Sequence, residues 1–520
     1  MLLLAVFQFS ENTVDLDLWG HLVFGQHMLH SGTIPKTDIY SWTAYGQPWI
    51  NHEWIAEIIL AVFYTAWGGP GILLLKVVVG LAAFAVCLRL GAQSLSWPAR
   101  FVAWAFAALA VVEISYGFAA RPQIFTALFL ALELLVLQQV HSGKKLWVLG
   151  LPVLFLVWIN THGGVLAGYG LLGLVAGVAT LQMVWNKTRK TPNRVSAGES
   201  AGPTEGKTVL VLWLAVLAAG AALLCNPWGP GLLRWLIASV FWLRPQIAEW
   251  NPTPLNGEHA VFYIVLALAA FSWTFTTRKR LWWELAVCVA FAWLGWRALR
   301  NAPLFCLIAL ALVPPHLVSA MTRFRRHLER LEALGRQAAF QNIATLFSAG
   351  AAVGIAVATF TLHKEHPLTM EVPRSQYPIG AIAFLQGHQL QGRILAFFDW
   401  GEMVIFRLPG CPPSLDGRLD TCYSRELIDA HWKFYNGEPF DERVLDLRQA
   451  DFALLPAHLA GAAVLARHRD WQVIYYDDLA VIMARDVERF SQLRSLPLPV
   501  VGSKSVVLGC VPFPGHNPRW

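Results

Sequence analysis

Long apolar runs separated by short polar stretches fill the chain as far as about residue 365. A membrane-spanning helix needs about 20 apolar residues. Runs of that kind lie at roughly 70–91, 100–118, 124–141, 146–159, 163–184, 208–225, 259–276, 281–297, 301–318 and 345–363. The opening MLLLAVFQF is apolar but short, without the basic start or small-residue cleavage site of a signal peptide. It reads as the outer end of a first span whose beginning is missing, which makes about eleven spans. Beyond residue 366 the pattern changes. RILAFF (393–398) and ADFALL (450–455) read as buried strands, and WQVIYY (471–476) with LAVIMA (479–484) as a hairpin around Asp477-Asp478. Helical stretches near 378–388, 424–435 and 458–468 alternate with them. The expected fold class is a polytopic α-helical membrane protein with a C-terminal soluble α/β domain. The expected domains are a transmembrane part over 1–365, with an outer loop at 11–69, and an extracytoplasmic part over 366–520. The linker-like stretch is 191–206, rich in Ser, Gly, Pro and Thr.

Composition agrees. Hydrophobic residues make up 56% and charged residues 14%, against about 25% charged in soluble domains. Soluble, disordered and collagen-like classes are excluded. The 24 Trp residues fit the aromatic belts of a membrane surface. The net charge of +7 would point to nucleic acid in a soluble chain. Here the basic residues sit in four short loops: Lys144 with Lys145, residues 185–207, the Arg-Lys-Arg of 278–280, and residues 322–336. All four fall on one side of the predicted spans, which makes that side cytoplasmic, and no nucleic-acid partner is expected. Residues 54–67 are short and carry Glu57. If they spanned, the basic loops would move outside, so they are expected to lie on the outer leaflet as an interfacial helix, as is 231–243.

The polar stretches DLDLWGH (15–21), NHEW (51–54), ARPQ (120–123), NTHGG (160–164), NPWGPG (226–231), EWNPTP (249–254) and RALRN (297–301) then share the outer face. Polar groups near a bilayer are costly and mark function. Asp15 and Asp17 lie just outside the first span, and Asp17 and His21 are four residues apart on one helical face. A carboxylate there can act as a general base on an acceptor hydroxyl or hold a divalent cation; it can also cap the helix. If Mg or Mn takes part, Asp15 and Asp17 are its ligands, although two carboxylates alone do not indicate a metal. His52-Glu53 opens like HExxH, but position 56 is Ala56, which rejects a zinc protease. Glu53 remains a second carboxylate or an interfacial cap, and His52 a substrate contact.

Arg121, Arg297 and Arg300 lie at outer span ends, where guanidinium groups can clamp a lipid phosphate or snorkel to headgroups. Asn160 and His162, followed by Gly163-Gly164, form either a ligand contact or a tight turn. Glu249-Trp250 reads as a turn with an aromatic anchor. In the tail, DWGE (399–402) and DGRLD (416–420) stand out. Cys411 and Cys422 flank the second of these and can pair in an oxidising compartment.

The first ninety residues resemble the opening of the membrane-embedded GT-C glycosyltransferases, which include aminoarabinose transferases, protein mannosyltransferases and oligosaccharyltransferases. The resemblance runs through Asp17, Met28-Leu29-His30-Ser31-Gly32, Gln47-Pro48-Trp49, Trp54-Ile55, Gly68-Gly69 and the span from about residue 70. Asp17 falls where the family's acidic motif begins. It is followed by Leu18 rather than a second acid, so its partner is Asp15 or Glu53. The resemblance implies a bacterial inner-membrane enzyme with a lipid-linked (polyprenyl-phosphate) sugar donor and an acceptor hydroxyl on the outer face. In that reading Asp17 is the general base or the metal-holding carboxylate, assisted by Asp15 or Glu53, and Arg121, Arg297 or Arg300 stabilises the phosphate leaving group. A non-enzymatic lipid or glycan transporter, or an export scaffold, is the alternative. It calls for ionisable groups deep in the spans, of which the sequence offers few: Glu113, Glu133 and Glu284, near span ends or on the cytoplasmic half.

Overall fold

The computed structural model describes residues 1–188, 203–242, 244–279, 281–321, 350, 353–354, 357–358, 365–485 and 509–514. It divides into two compact units: Met1–Glu11 with Lys76–Leu362, and Asn12–Leu75 with His363–Trp520. The expected outer loop thus clusters with the C-terminal region. The basic loop 322–336, nearly all of the expected span 345–363, and most of the linker 191–206 lie outside the described residues.

Each apolar run between 70 and 318 folds as helix. Among the described residues, Trp54–Ala92, Gln123–His141 and Val165–Thr188 are long and apolar enough to cross a membrane. Leu299–Leu312 and Pro314–Met321 are so together, with a 58° bend between them. Lys145–Ile159, Gly206–Ala222, Pro230–Val240 and Ala260–Phe275 are apolar but shorter. The runs are therefore helical where expected, while the lengths fall short of eleven full crossings. Gly117, for example, ends the helix Arg100–Tyr116. Trp54–Ala92 is broken at Gly68 (φ 63°, ψ −146°), two residues before Pro70. The expected interfacial helix ends at that break, which only a residue without a Cβ adopts easily.

Ala302–Leu312 is buried at every residue but Leu304. At the other end of this unit's chain, Phe9 packs on Phe84 and Phe118, with ring centroids 6.3 and 4.7 Å apart. The ionisable groups inside are mostly paired. His259 Nδ1 lies 3.3 Å from Glu113 Oε1, and His316 Nε2 lies 3.1 Å from Glu284 Oε2. Glu133 is fully buried with neither carboxyl oxygen hydrogen-bonded.

The second unit holds a four-stranded sheet of β2 (Ile394–Ala396), β3 (Phe452–Pro456), β4 (Trp471–Tyr476) and β5 (Ala480–Arg485), in the order β2-β3-β5-β4. β2 and β3 run parallel; the other pairs are antiparallel. All four strands and the hairpin turn lie where the pattern placed them. Asp477 Oδ1 closes that turn by accepting the N–H groups of Leu479 and Ala480 at 2.9 and 2.7 Å. A two-stranded ribbon of β1 (Glu371–Pro373) and β6 (Cys510–Pro512) was not expected.

Residues 12–14 are laced to this ribbon. Thr13 bridges Glu371, and Asn12 Nδ2 donates to the carbonyls of His366 and Thr369 at 3.1 and 2.8 Å. The helix Leu18–Ser31, ended by Gly32 in the left-handed region (φ 65°), seats Trp19 against Tyr377, Phe406 and Phe513. Trp42 Nε1 donates to the carbonyl of Ile394 at 3.1 Å. Cys411 and Cys422, open to pairing in an oxidising compartment, are not bonded to each other. Both thiols are free and buried, Cys411 hydrogen-bonding the carbonyl of Leu390 at 3.4 Å and Cys422 lying beside the charged Arg418 network.

Candidate functional site

Two clusters gather the chemistry-bearing residues, one in each unit.

In the Asn12–Leu75 and C-terminal unit, the helix Leu18–Ser31 begins at Asp17. Asp15 Oδ1 accepts the Asp17 backbone N–H at 3.0 Å, and Asp17's own carbonyl accepts the N–H of His21 at 3.1 Å. The Asp17 side chain makes no capping hydrogen bond; capping is done from the tail. Glu402, in the helix Gly401–Arg407, accepts the Gly20 N–H at 3.1 Å through Oε2. A Cβ on Gly20 would overlap that carboxyl group, so the close approach requires glycine there. The other oxygen, Glu402 Oε1, and Asp17 Oδ1 both border Gly417. A Cβ on Gly417 would lie 2.6 Å from each. Burial, first, and then the charges of Asp17 and Asp416 hold the Glu402 carboxyl well above the usual carboxylate range, against Arg418 and the Gly20 N–H. Asp17 therefore sits beside a buried carboxyl group that holds its proton more tightly than an ordinary carboxylate.

On the next turn of the Leu18–Ser31 helix, His21 is buried with Nδ1 3.3 Å from Glu57 Oε1, and Asn51 Nδ2 donates to Glu57 Oε2 at 2.6 Å. Burial alone would lower the His21 imidazole. The Glu57 hydrogen bond and the charges of Glu53, Glu57 and Asp17 outweigh it and raise it above its ordinary value. His52 Nε2 and Glu53 Oε1 are 3.5 Å apart. Asp17, His21 and Glu53 thus come together, with Glu57, Asn51 and Glu402 joining them unforeseen.

Below lies a locked ion network. Arg418 donates through Nε and Nη2 to Asp416 at 2.8 and 2.7 Å, and through Nη1 to Asp38 at 2.6 Å. Its guanidinium lies 4.9 to 5.7 Å from the rings of Trp49, Phe24, Tyr40 and Tyr423. No group of three or more His, Cys, Asp or Glu among the described residues is arranged to hold a metal ion.

In the helical unit, two of the three expected arginines meet. Arg121 Nη2 lies 3.3 Å from Glu249 Oε2, and Arg300 Nη1 lies 3.7 Å from Glu249 Oε1. Burial would raise the Glu249 carboxyl, but the charges of Arg121 and Arg300 bring it below its ordinary value. The Arg300 and Arg244 guanidiniums stack on Trp250 at 4.4 and 4.3 Å. Arg297 is exposed at the end of its helix and makes no hydrogen bond or ion pair among the described residues.

His162 contributes to the field at Glu249. Its Nδ1 accepts the Gly164 N–H at 3.0 Å and lies 2.8 Å from Thr126 Oγ1. Asn160 Nδ2 donates to the carbonyls of Leu156 and Cys225 at 2.8 and 2.9 Å, ties between backbone segments. The sequence pattern reads Glu249 as part of a turn. The signal that could have found it is a lone acid in an outer loop facing two arginine loops of the same face.

No family model matches the chain, and no curated protein sequence matches it. Solved structures do. The oligosaccharyltransferase of Archaeoglobus fulgidus, in its apo form, is similar over 88% of this chain and 68% of its own, at 12% identity and a TM-score of 0.55. ArnT from Cupriavidus metallidurans, also apo, is similar over 93% of this chain and 95% of its own, at 14% identity and a TM-score of 0.52. The chain has a GT-C-like fold.

Proposed function

We propose that the protein is a glycosyltransferase of the bacterial inner membrane. It moves a sugar from a polyprenyl-phosphate donor to an acceptor hydroxyl on the outer face, with its C-terminal region outside. The observation that carries this reading is the GT-C-like fold, which this chain shares over nearly its whole length with two transferases. It is supported by the carboxylate cluster around Asp17, the position where the resemblance expects the acid.

Asp17 takes the proton from the acceptor hydroxyl as that oxygen attacks the sugar's anomeric carbon. The carbon–oxygen bond to phosphate breaks, and the phosphate leaves with the electron pair. Arg121 and Arg300 bind the charge that develops there. A single in-line displacement inverts the anomeric centre. Asp15 holds the backbone at Asp17, and Glu53, His52 and His21 line the same cluster. Arg297, Asn160 and His162 are the remaining substrate contacts of this reading. A divalent cation, if one is used, would be held by Asp15 and Asp17.

The test is turnover by the purified full chain in lipid, on a panel of polyprenyl-phosphate sugars with hydroxyl acceptors. Sugar release or transfer is expected with at least one donor. The transporter reading draws on Glu133, buried and unbonded within the helix Gln123–His141. Counterflow of a lipid-linked sugar with no turnover of any donor would favour it.

A further inference from the structure

The two arginines expected to receive a phosphate already hold an anion, the Glu249 carboxylate. One oxygen faces each guanidinium, at 3.3 and 3.7 Å. Both contacts are longer than the roughly 2.7–2.9 Å of a closed charge-assisted hydrogen bond. All three side chains are also partly exposed: Arg121 24%, Arg300 22% and Glu249 22%. Arg418 supplies the contrast within the same protein. Its contacts to Asp38 and Asp416 are 2.6 and 2.7 Å, and the groups are 4% exposed or less. One network is closed and dry; the other is open and loosely made.

A carboxylate and a phosphate present the same pair of oxygens to a guanidinium. Trp250 keeps Arg300 anchored independently of Glu249, since the ring stacks under that guanidinium at 4.4 Å.

We propose that Glu249 is an exchangeable internal anion. It occupies the Arg121–Arg300 pair when no phosphate is bound, gives way to the phosphate of a polyprenyl-phosphate ligand, and by competing sets the affinity of the site. The proposal rests on the glycosyltransferase reading. It also accounts for product release. The donor phosphodiester carries one negative charge, whereas the released monophosphate carries about −1.5 to −2 at neutral pH. A bare arginine pair would hold the product more tightly than the donor, and the returning carboxylate opposes that.

The experiment is equilibrium binding of undecaprenyl phosphate to the full chain in nanodiscs, with undecaprenol and inorganic phosphate as parallel arms and thermal melting as the folding control. Glu249→Gln and Glu249→Ala are each expected to bind the lipid phosphate about tenfold more tightly than the native chain, the scale of one charge-assisted contact. Arg300→Gln is expected to bind it more weakly, and Glu249→Gln to bring a smaller gain in the Arg300→Gln background, where it releases Arg121 alone. Unchanged or weaker binding in both folded Glu249 variants, with Arg300→Gln still weakening it, overturns the exchange alone and makes Glu249 a tether for the arginines. Undecaprenol binding as tightly as undecaprenyl phosphate, with arginine variants unaffected, overturns the phosphate reading beneath it. Inorganic phosphate binding as tightly as the lipid, with the same variant dependence, overturns the lipid as the source of the phosphate.

Discussion

Replacing Gly417 with alanine adds a methyl group at the position that Asp17 and Glu402 both border. On the native backbone the new Cβ lies 2.6 Å from Asp17 Oδ1 and 2.6 Å from Glu402 Oε1, where ordinary contact begins at 3.4 Å. Each oxygen must retreat by about 0.8 Å to relieve the overlap. The stability cost is small, because both obstacles are the ends of side chains and Gly417 does not have a left-handed backbone. Alanine also restricts the unfolded chain, worth about 0.4–1 kcal/mol in the other direction. A misplacement of about 1 Å at a reacting group, by contrast, costs on the order of a hundredfold in rate. The expected result is a melting temperature within a few degrees of native and a kcat down by about ten- to a hundredfold, read by sugar transfer and thermal melting on one preparation. Native turnover in a folded Gly417→Ala variant would refute the placement of Asp17 as the base.

Glu402 carries a pH prediction. Its folded value lies above the ordinary 4.5, so the stability it contributes is fully present below that value and is lost as pH rises through the raised one. Glu402→Gln keeps an acceptor for the Gly20 N–H and is expected to flatten the fall of melting temperature as pH rises above 4.5; an unchanged pH profile would contradict this. His21 acts in the same direction. Its raised value stabilises fully below 6.5 and loses that contribution above, so His21→Gln is expected to lose stability mainly at acid pH, as melting curves would show. Arg418→Lys gives up the fork on Asp416 and leaves two buried carboxylates under-paired, at a cost of about 3–5 kcal/mol in denaturant unfolding. A loss below about 1 kcal/mol would show that the network is not closed in solution.

The parts legible in the sequence were those with local causes. The strands and the Asp477 turn showed in apolar runs bounded by turn residues, and the helices in unbroken apolar stretches. The β1–β6 ribbon was not legible, because strands of three residues with a proline at one end carry no period-two pattern. The meeting of Arg121 with Arg300 was suggested by the shared outer face. The approach of both Glu402 and Asp17 to Gly417 was not, since 385 positions separate the two acids and no local pattern encodes such an approach. DWGE stood out as polar, yet nothing in it says that Glu402 caps a helix begun at Asp17. The grouping of Asn12–Leu75 with the tail has the same cause. Its ties, from Asn12 to His366 and from Trp42 to Ile394, are single long-range hydrogen bonds.

The measurement closest to the central claim is the rate of sugar transfer by Asp17→Asn beside the native chain, in one lipid preparation with melting curves matched. Asparagine keeps the shape of Asp17 but cannot take a proton from the acceptor. The account predicts a folded protein with donor binding retained and turnover reduced by on the order of 10²–10⁴-fold. A folded Asp17→Asn variant that turns over donor at the native rate would contradict it.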